Sequence, residues 1–241
     1  MRIGVIRVVT TDDQEQLDAH GRVIREELGV DTVSRCLPDQ PDGVHDDATF
    51  ALASAKVADL AARMEREDGV DALLVSCAAD PGLAPARAAV GIPVVGAGEA
   101  AARRALELGS KVGVLDLTTR TPDSVCSVLG AARVAALVPE GVRRTHDLRT
   151  DAGLAASVRA AERLVAMGAD TLMFACTGMT TIGLAARLTD RVGVPVVDAV
   201  RAGARAAVRA AEGAAEGTSA GAAGDRARNR DHRQPGDATT R

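Results

Sequence analysis

The sequence predicts an α/β protein of two pseudo-symmetric Rossmann-like lobes, each a parallel sheet flanked by helices, with the functional site in the cleft between them. Three observations predict it. Two apolar runs, Gly69-Val-Asp-Ala-Leu-Leu-Val-Ser-Cys77 and Gly168-Ala-Asp-Thr-Leu-Met-Phe-Ala-Cys176, share one layout. Each has the length and β-rich composition of a fully buried strand. Each is followed, at nearly the same distance, by a second matching run, Ile92-Pro-Val-Val-Gly96 and Val194-Pro-Val-Val-Asp198. Each is preceded by a third, Ile3-Gly-Val-Ile-Arg-Val-Val-Thr-Thr11 and Val112-Gly-Val-Leu-Asp-Leu-Thr-Thr119. The chain reads as two copies of one unit.

The elements follow in order. A strand over 2–9 leads to a helix over 12–28, whose start is marked by Thr11 and Asp12 with Glu15 beyond. A strand over 31–36 ends in the loop Pro38-Asp-Gln-Pro-Asp-Gly43, and a helix over 46–67 precedes the strand 70–76. Asp80-Pro81 reads as an N-cap with Pro at the first helical position, opening a short helix through Ala89. A strand over 92–95 and the turn Gly96-Ala-Gly98 then introduce a helix from Glu99 to Leu108.

The second copy gives strand 111–117, helix 121–130, strand 132–138, helix 151–167, strand 170–175, helix 180–191 and strand 194–197. A last helix over 199–212 returns the chain to the first lobe. Strands joined by helices of this length imply parallel sheets with right-handed crossovers. Residues 1–98 with 199–212 therefore form the first lobe and 99–198 the second. Residues 213–241, poor in larger apolar side chains, read as a disordered tail.

Composition narrows the function. A net charge of −4 over 241 residues argues against a nucleic-acid surface. Without Trp or Tyr, and with Phe50 and Phe174 as its two Phe, the chain has no aromatic platform for bases. No run is long enough to span a membrane, and the first strand is too short for a signal peptide. The expected setting is cytoplasmic and the expected partner a small-molecule substrate, with no nucleic acid and no membrane; a homo-oligomer is compatible with this. Cysteines 36, 77, 126 and 176 form no CxxC pair, so no metal site is expected.

Cys77 and Cys176 end the central strand of each lobe, the edge at which open parallel sheets bind ligands. Two equivalent thiols facing one cleft suit proton transfer on both faces of a substrate carbon. An unperturbed thiol pKa of about 8.5 allows thiol and thiolate to coexist near neutrality, and a following helix N-terminus favours the thiolate. Thr10, Thr11, Thr118 and Thr119 end the first strand of each lobe at the same edge and could hold a carboxylate or a carbonyl. Thr177 and Gly178 add donors beside Cys176. Cys36 and Cys126 read as packing residues, and His20, His45 and His232 as surface residues. His146-Asp147 reads as solvated loop and Glu99 as a helix-dipole partner. Gly96-Ala-Gly98 lacks the third glycine of a dinucleotide loop, so no cofactor is expected.

Cys77-Ala-Ala-Asp-Pro-Gly-Leu83 with the run from Pro93 to Ala101, and Cys176-Thr-Gly-Met179, resemble the two cysteine motifs of hydantoin racemases in the aspartate/glutamate/hydantoin racemase superfamily. The resemblance spans roughly residues 1–212. It implies a cofactor-independent racemase or epimerase, with Cys77 and Cys176 catalytic and Ala78, Thr177 and Gly178 against the substrate. Ala78-Ala79 stands where those enzymes commonly carry Phe-Asp, Val9-Thr10-Thr11 where they carry Asn-Pro-Asn, and Thr177 in place of Ala. No His adjoins Cys176, unlike the glutamate branch. The expected substrate is hydantoin-like or an amino acid, with a tilt to the former because no arginine clamp for a carboxylate is visible in the motifs. Two alternatives stand beside it: a cis-trans isomerase of an unsaturated diacid with a cysteine nucleophile, and a non-catalytic two-lobed binding protein.

Overall fold

The computed structural model describes residues 1–231, with side chains through Glu216. Strands β1 (Arg2–Arg7), β2 (Asp31–Cys36), β3 (Ala72–Ser76) and β4 (Val94–Gly96) form one parallel sheet in the order β2-β1-β3-β4. Strands β5 (Val112–Leu115), β6 (Arg133–Leu137), β7 (Thr171–Phe174) and β8 (Val196–Val197) form a second in the equivalent order β6-β5-β7-β8. Register follows the repeat: Val5 lies opposite Leu74, and Val114 opposite Met173. The expected pair of parallel sheets is present, and in each the strand order reverses beside the central strand that carries the cysteine.

Helices α1 (Gln14–Leu28), α2 (Asp47–Asp68), α3 (Leu83–Ala89), α4 (Ala97–Leu108), α5 (Asp123–Leu129), α6 (Asp151–Ala166), α7 (Gly178–Thr181), α8 (Leu184–Val192) and α9 (Ala199–Asp231) supply the layers. The α1 cap falls on Asp13, whose carboxylate accepts from Glu15 N–H (2.9 Å) and Gln16 N–H (3.2 Å). One of the expected helices is two: Gly183, at φ 62°, interrupts 180–191 between α7 and α8, a conformation that costs other residues strain. The last helix runs to Asp231 instead of stopping near 212, in keeping with the helical propensity of its Ala, Glu and Arg. The remainder of the expected tail, residues 232–241, lies outside the described residues.

Three apolar clusters hold these layers. α2 and α3 cover the outer face of the first sheet through Val57, Ala61, Met64 and Leu83 against Ile6, Leu73 and Val75. α6 and α8 cover the outer face of the second through Leu164, Leu184 and Leu188 against Leu115, Leu172 and Phe174. The third cluster lies between the sheets and is largely alanine: Ala97, Ala101, Ala102 and Ala105 of α4, and Ala202, Ala204, Ala207 and Ala211 of α9. Side chains this small let two helices and two sheets approach closely.

The connectivity through this layer is crossed. α4 follows β4 of the first sheet yet packs on β7 and β8 of the second, whereas α9 follows β8 and packs on β3, β4 and β1 of the first. The two helices also pack on each other. The start of α4 is held tightly: a Cβ on Gly98 would stand 2.0 Å from the carbonyl oxygen of Ala78, in the turn after Cys77. Gly98→Ala should therefore cost about 1–3 kcal/mol of stability, read by urea denaturation, because the opposing atom is backbone and cannot rotate away.

Candidate active site

Cys77 directly follows β3 and Cys176 follows β7 by one residue, so both thiols stand at the carboxyl ends of the central strands. Cys176 is buried and Cys77 partly exposed. They are close enough for charge on one to oppose charge on the other. Burial pushes the Cys77 thiol up to about 12, with the N–H of Ala79 opposing it and the Asp80 charge adding to it. Burial likewise pushes Cys176 up to about 11, against the N–H groups of Gly178 and Met179 and the Thr145 hydroxyl. The expected stabilisation by a turn of backbone donors is thus present at both thiols, but desolvation outweighs it.

Asp80 does not cap α3, which begins at Leu83 behind Gly82. It turns back, in the left-handed region at φ 52°, and caps the interlobe helix α4. Its Oδ1 accepts from Gly98 N–H (3.0 Å) and its Oδ2 from Glu99 N–H (2.7 Å). Gly96 leaves the necessary room, since a Cβ there would lie 2.5 Å from the carboxylate. The second lobe exchanges the roles. There the strand end supplies the carboxylate, Asp198, which accepts from Arg201 N–H (3.1 Å) at the start of α9 and from the Thr180 hydroxyl (2.9 Å) of the turn after Cys176. A local cap signal at Asp80-Pro81 could not foresee a partner that arrives only through the tertiary fold.

His20 is buried, not a surface residue, because α1 turns this face toward the cleft. Its Nδ1 lies 2.8 Å from Ser76 Oγ, beside Cys77, and its Nε2 lies 3.2 Å from Thr181 Oγ1 in the other lobe. Burial and the Arg7 charge hold its pKa well below the ordinary value, so the ring is neutral, with one donor and one acceptor nitrogen. Thr177 Oγ1 adds a second link between lobes by donating to Ser76 O (3.3 Å). Arg7 and Asp116 occupy equivalent positions of the repeat and are both buried at the cleft wall. Arg7 donates to Gln16 O (2.7 Å) and Leu17 O (2.9 Å), and burial lowers its pKa to about 10. Burial lifts Asp116 to about 6.

These groups line a cleft of about 1100 Å³ between the sheets. Cys77, Ala78, Thr118, Thr119, Cys176, Thr177 and Gly178 are all brought to it, as are Ala79, His45, His146 and Asp147. Ala78 faces the interlobe core as well. Thr10 and Thr11 are not brought to it. Thr10 Oγ1 donates to Leu37 O (2.6 Å) and accepts from Gln40 N–H (2.6 Å), which fastens the 38–43 loop. Thr11 Oγ1 accepts from Asp13 N–H (3.2 Å). Cys36 and Cys126 lie away from the cleft, and Glu99 pairs with Arg87 (3.0 Å) and Arg103 (2.8 Å).

Sequence reasoning missed Arg7, His20, Asp116 and the 143–149 segment. The first and third had a visible signal, a charge inside an apolar run at the same repeat position. Arg120 and Arg144 reach across the cleft mouth to Asp47 (3.9 Å) and Asp42 (3.5 Å) of the first lobe. Among the described residues no group of His, Cys, Asp and Glu is arranged to hold a metal ion, and no helix is long and apolar enough to cross a membrane.

The model of the Asp/Glu/Hydantoin racemase family matches residues 18–207. The chain belongs to this family. It is 31% identical over 158 residues to a hydantoin racemase of Paenarthrobacter aurescens, covering 63% of this chain and 66% of that protein. It is 32% identical over 152 residues to one of Rhizobium meliloti, covering 58% and 60%. The matches thus span somewhat less than two thirds of these relatives. Among solved structures, the fold is similar to allantoin racemase from Klebsiella pneumoniae, with TM-score 0.76 and 25% identity over 87% of this chain and 86% of that one. It is also similar to allantoin racemase from Pseudomonas fluorescens, with TM-score 0.75 and 26% identity over 87% and 90%.

In this member of the racemase family, Asp80 combines burial with a cap, and its titration is measurable. Burial raises its pKa to about 7, so between that value and the ordinary carboxylate range the folded state holds a proton that the unfolded state has lost. Its contribution to stability therefore falls as pH rises. The melting temperature of wild type relative to Asp80→Asn should decline from pH 4 to pH 7, and a flat difference would contradict the assignment.

Proposed function

We propose that the protein is a cofactor-independent racemase of hydantoin-type cyclic amides, with Cys77 and Cys176 as acid and base on opposite faces of the carbon between the ring carbonyl and a ring nitrogen. The observation that carries this reading is the pair of thiols, one at the equivalent strand end of each sheet, facing one cleft. One cysteine, as thiolate, takes the proton from the carbon on its face. The electron pair moves into the adjacent carbonyl as an enolate, and the other cysteine, as thiol, returns a proton on the opposite face. The product carries the inverted centre and the two cysteines have exchanged protonation states.

Donors for the enolate oxygen lie in the turns beside the thiols, the N–H groups of Ala79 and Gly178, whereas the Thr118 and Thr177 hydroxyls already donate to Arg120 O (2.7 Å) and Ser76 O (3.3 Å). The lobe-bridging contacts of His20 and Thr177 fix how far apart the two turns stand. That separation must suit one carbon atom, and a two-base mechanism is sensitive to it. Family membership supports the reaction class, and the hydantoin and allantoin racemases among the relatives support a cyclic or ureido-bearing amide.

Cys77→Ala and Cys176→Ala should each reduce racemisation of a chiral 5-substituted hydantoin, followed by polarimetry, to below a few per cent of wild type. Each single variant should still exchange the carbon-bound proton of one enantiomer with deuterium from solvent, the two variants favouring opposite hands. Appreciable racemisation by either variant would sink the paired-base assignment.

The pH dependence has a definite sign. Burial holds both thiols protonated at neutrality, and the active form needs one of them ionised. The value of kcat/KM should climb about tenfold per unit from pH 7 to pH 9. A profile that is flat or falling over that range would show that thiolate formation does not limit the reaction.

A further inference from the structure

Asp116 is a carboxylate whose hydrogen bonds are half made. It directly follows β5 and is 2% exposed. Its Oδ1 accepts from Leu117 N–H (2.9 Å) and Thr118 N–H (3.4 Å), which pins the side chain in one orientation. Its Oδ2 is buried and makes no hydrogen bond of good geometry among the described residues, with the Thr121 hydroxyl and the Arg133 charge near enough only to offset part of the cost of burial. A buried carboxylate oxygen without a donor is costly, so such an atom calls for an explanation.

The fold supplies one by position. β5 pairs with β7 in parallel, with Leu115 opposite Phe174, and Ala175 N–H donates to Leu115 O (2.9 Å). Asp116 therefore stands on the strand next to Cys176, at the same edge and on the cleft wall. Its charge acts directly on that thiol. Another buried polar atom without a partner, His45 Nδ1, belongs to a residue lining the same cleft, while those of Ser34, Gln40 and Thr171 lie elsewhere.

We propose that Asp116 is a specificity residue whose Oδ2 accepts the N–H attached to the reacting carbon of the substrate. The assignment rests on the racemase reading above and narrows it. A hydantoin carries such an N–H on the ring nitrogen bonded to its acidic carbon, and a carboxylate can accept it without any proton transfer. A dicarboxylic acid offers an anionic oxygen at the same place and meets like charge in a buried setting, where repulsion is strongest. The cleft thus selects cyclic amides over diacids through one atom. The same atom keeps the substrate nitrogen protonated and fixes the ring about the carbon that the two thiols must reach.

The test uses the full chain, as wild type and as Asp116→Asn, with 5-methylhydantoin and its N1-methyl and N3-methyl derivatives. Asn keeps the oxygen that accepts from Leu117 and Thr118 and replaces the unpaired oxygen by an NH2 donor. Binding is read by calorimetry, racemisation by polarimetry and stability by thermal melting. Wild type should lose about 10–100-fold in affinity on N1-methylation and much less on N3-methylation. Asp116→Asn should bind the parent hydantoin about 10–100-fold more weakly and show little further loss on N1-methylation. Its melting temperature should be unchanged or higher, since a buried charge is removed; a purely structural carboxylate would instead lower it.

An equal cost of N1-methylation in the two proteins would overturn the proposal, as would a wild type that binds the N1-methyl compound as tightly as the parent, a result that needs no variant. If wild type racemises hydantoins under either of these outcomes, the Asp116 assignment fails alone. If wild type binds none of these compounds, the hydantoin reading fails with it.

Discussion

Each cysteine turn in this protein is tied to the start of a helix that belongs to the other lobe, and the placement of the cleft depends on that tie. In the first lobe the link is a single side chain, Asp80, which leaves the turn after Cys77 and accepts two N–H groups of α4. In the second the link has two parts, Thr180 from the turn and Asp198 from the strand end. Both satisfy backbone donors that a helix N-terminus leaves open, and both place a carboxyl group where the helix dipole favours its ionised form against the opposing effect of burial. Because α4 and α9 also pack on each other, a shift of either turn is transmitted to the layer between the sheets.

The price of this arrangement is a set of buried charged or polar groups. Asp80, Asp116, Arg7 and His20 all lie within the cleft wall, and burial moves the pKa of each away from its ordinary value. Apolar residues of similar volume would serve stability better at such positions. What the charges supply instead is orientation: Arg7 fixes the first turn of α1, His20 spans the lobes, and Asp80 sets the turn that follows Cys77. The alanine-rich layer behind them is suited to that role, since small side chains pack with few alternative rotamers and hold the two sheets at one spacing.

Much of the fold was legible because the central strands β1, β3, β5 and β7 are buried on both faces and so read as apolar runs. The duplication then fixed their order, and both cysteines emerged from the same comparison. What stayed hidden depends on contacts distant in sequence. Asp80-Pro81 has every local mark of a helix start, yet the helix it caps begins beyond the next strand. His20 lies in a polar stretch of α1 and gives no periodic signal of burial, because its partners are Ser76 and Thr181. Thr10 and Thr119 are equivalent by repeat, but the loop after β2 consumes the hydroxyl of Thr10. The 3-10 turn at Thr145–Arg149 that presents Thr145 to Cys176 has no counterpart in the pattern that defined the repeat.

The crossed path of α4 and α9 bears on how such a chain arose. A single half would leave much of the inner face of its sheet uncovered, because its own last helix packs on the other sheet and only α1 in one half, or α5 in the other, also reaches that layer. Two copies of the half could cover each other by exchanging those helices about a two-fold axis. The present chain has the geometry of such an exchanged dimer joined end to end. Within one chain the two halves need not be identical, and equivalent positions hold an arginine in one, Arg7, and an aspartate in the other, Asp116.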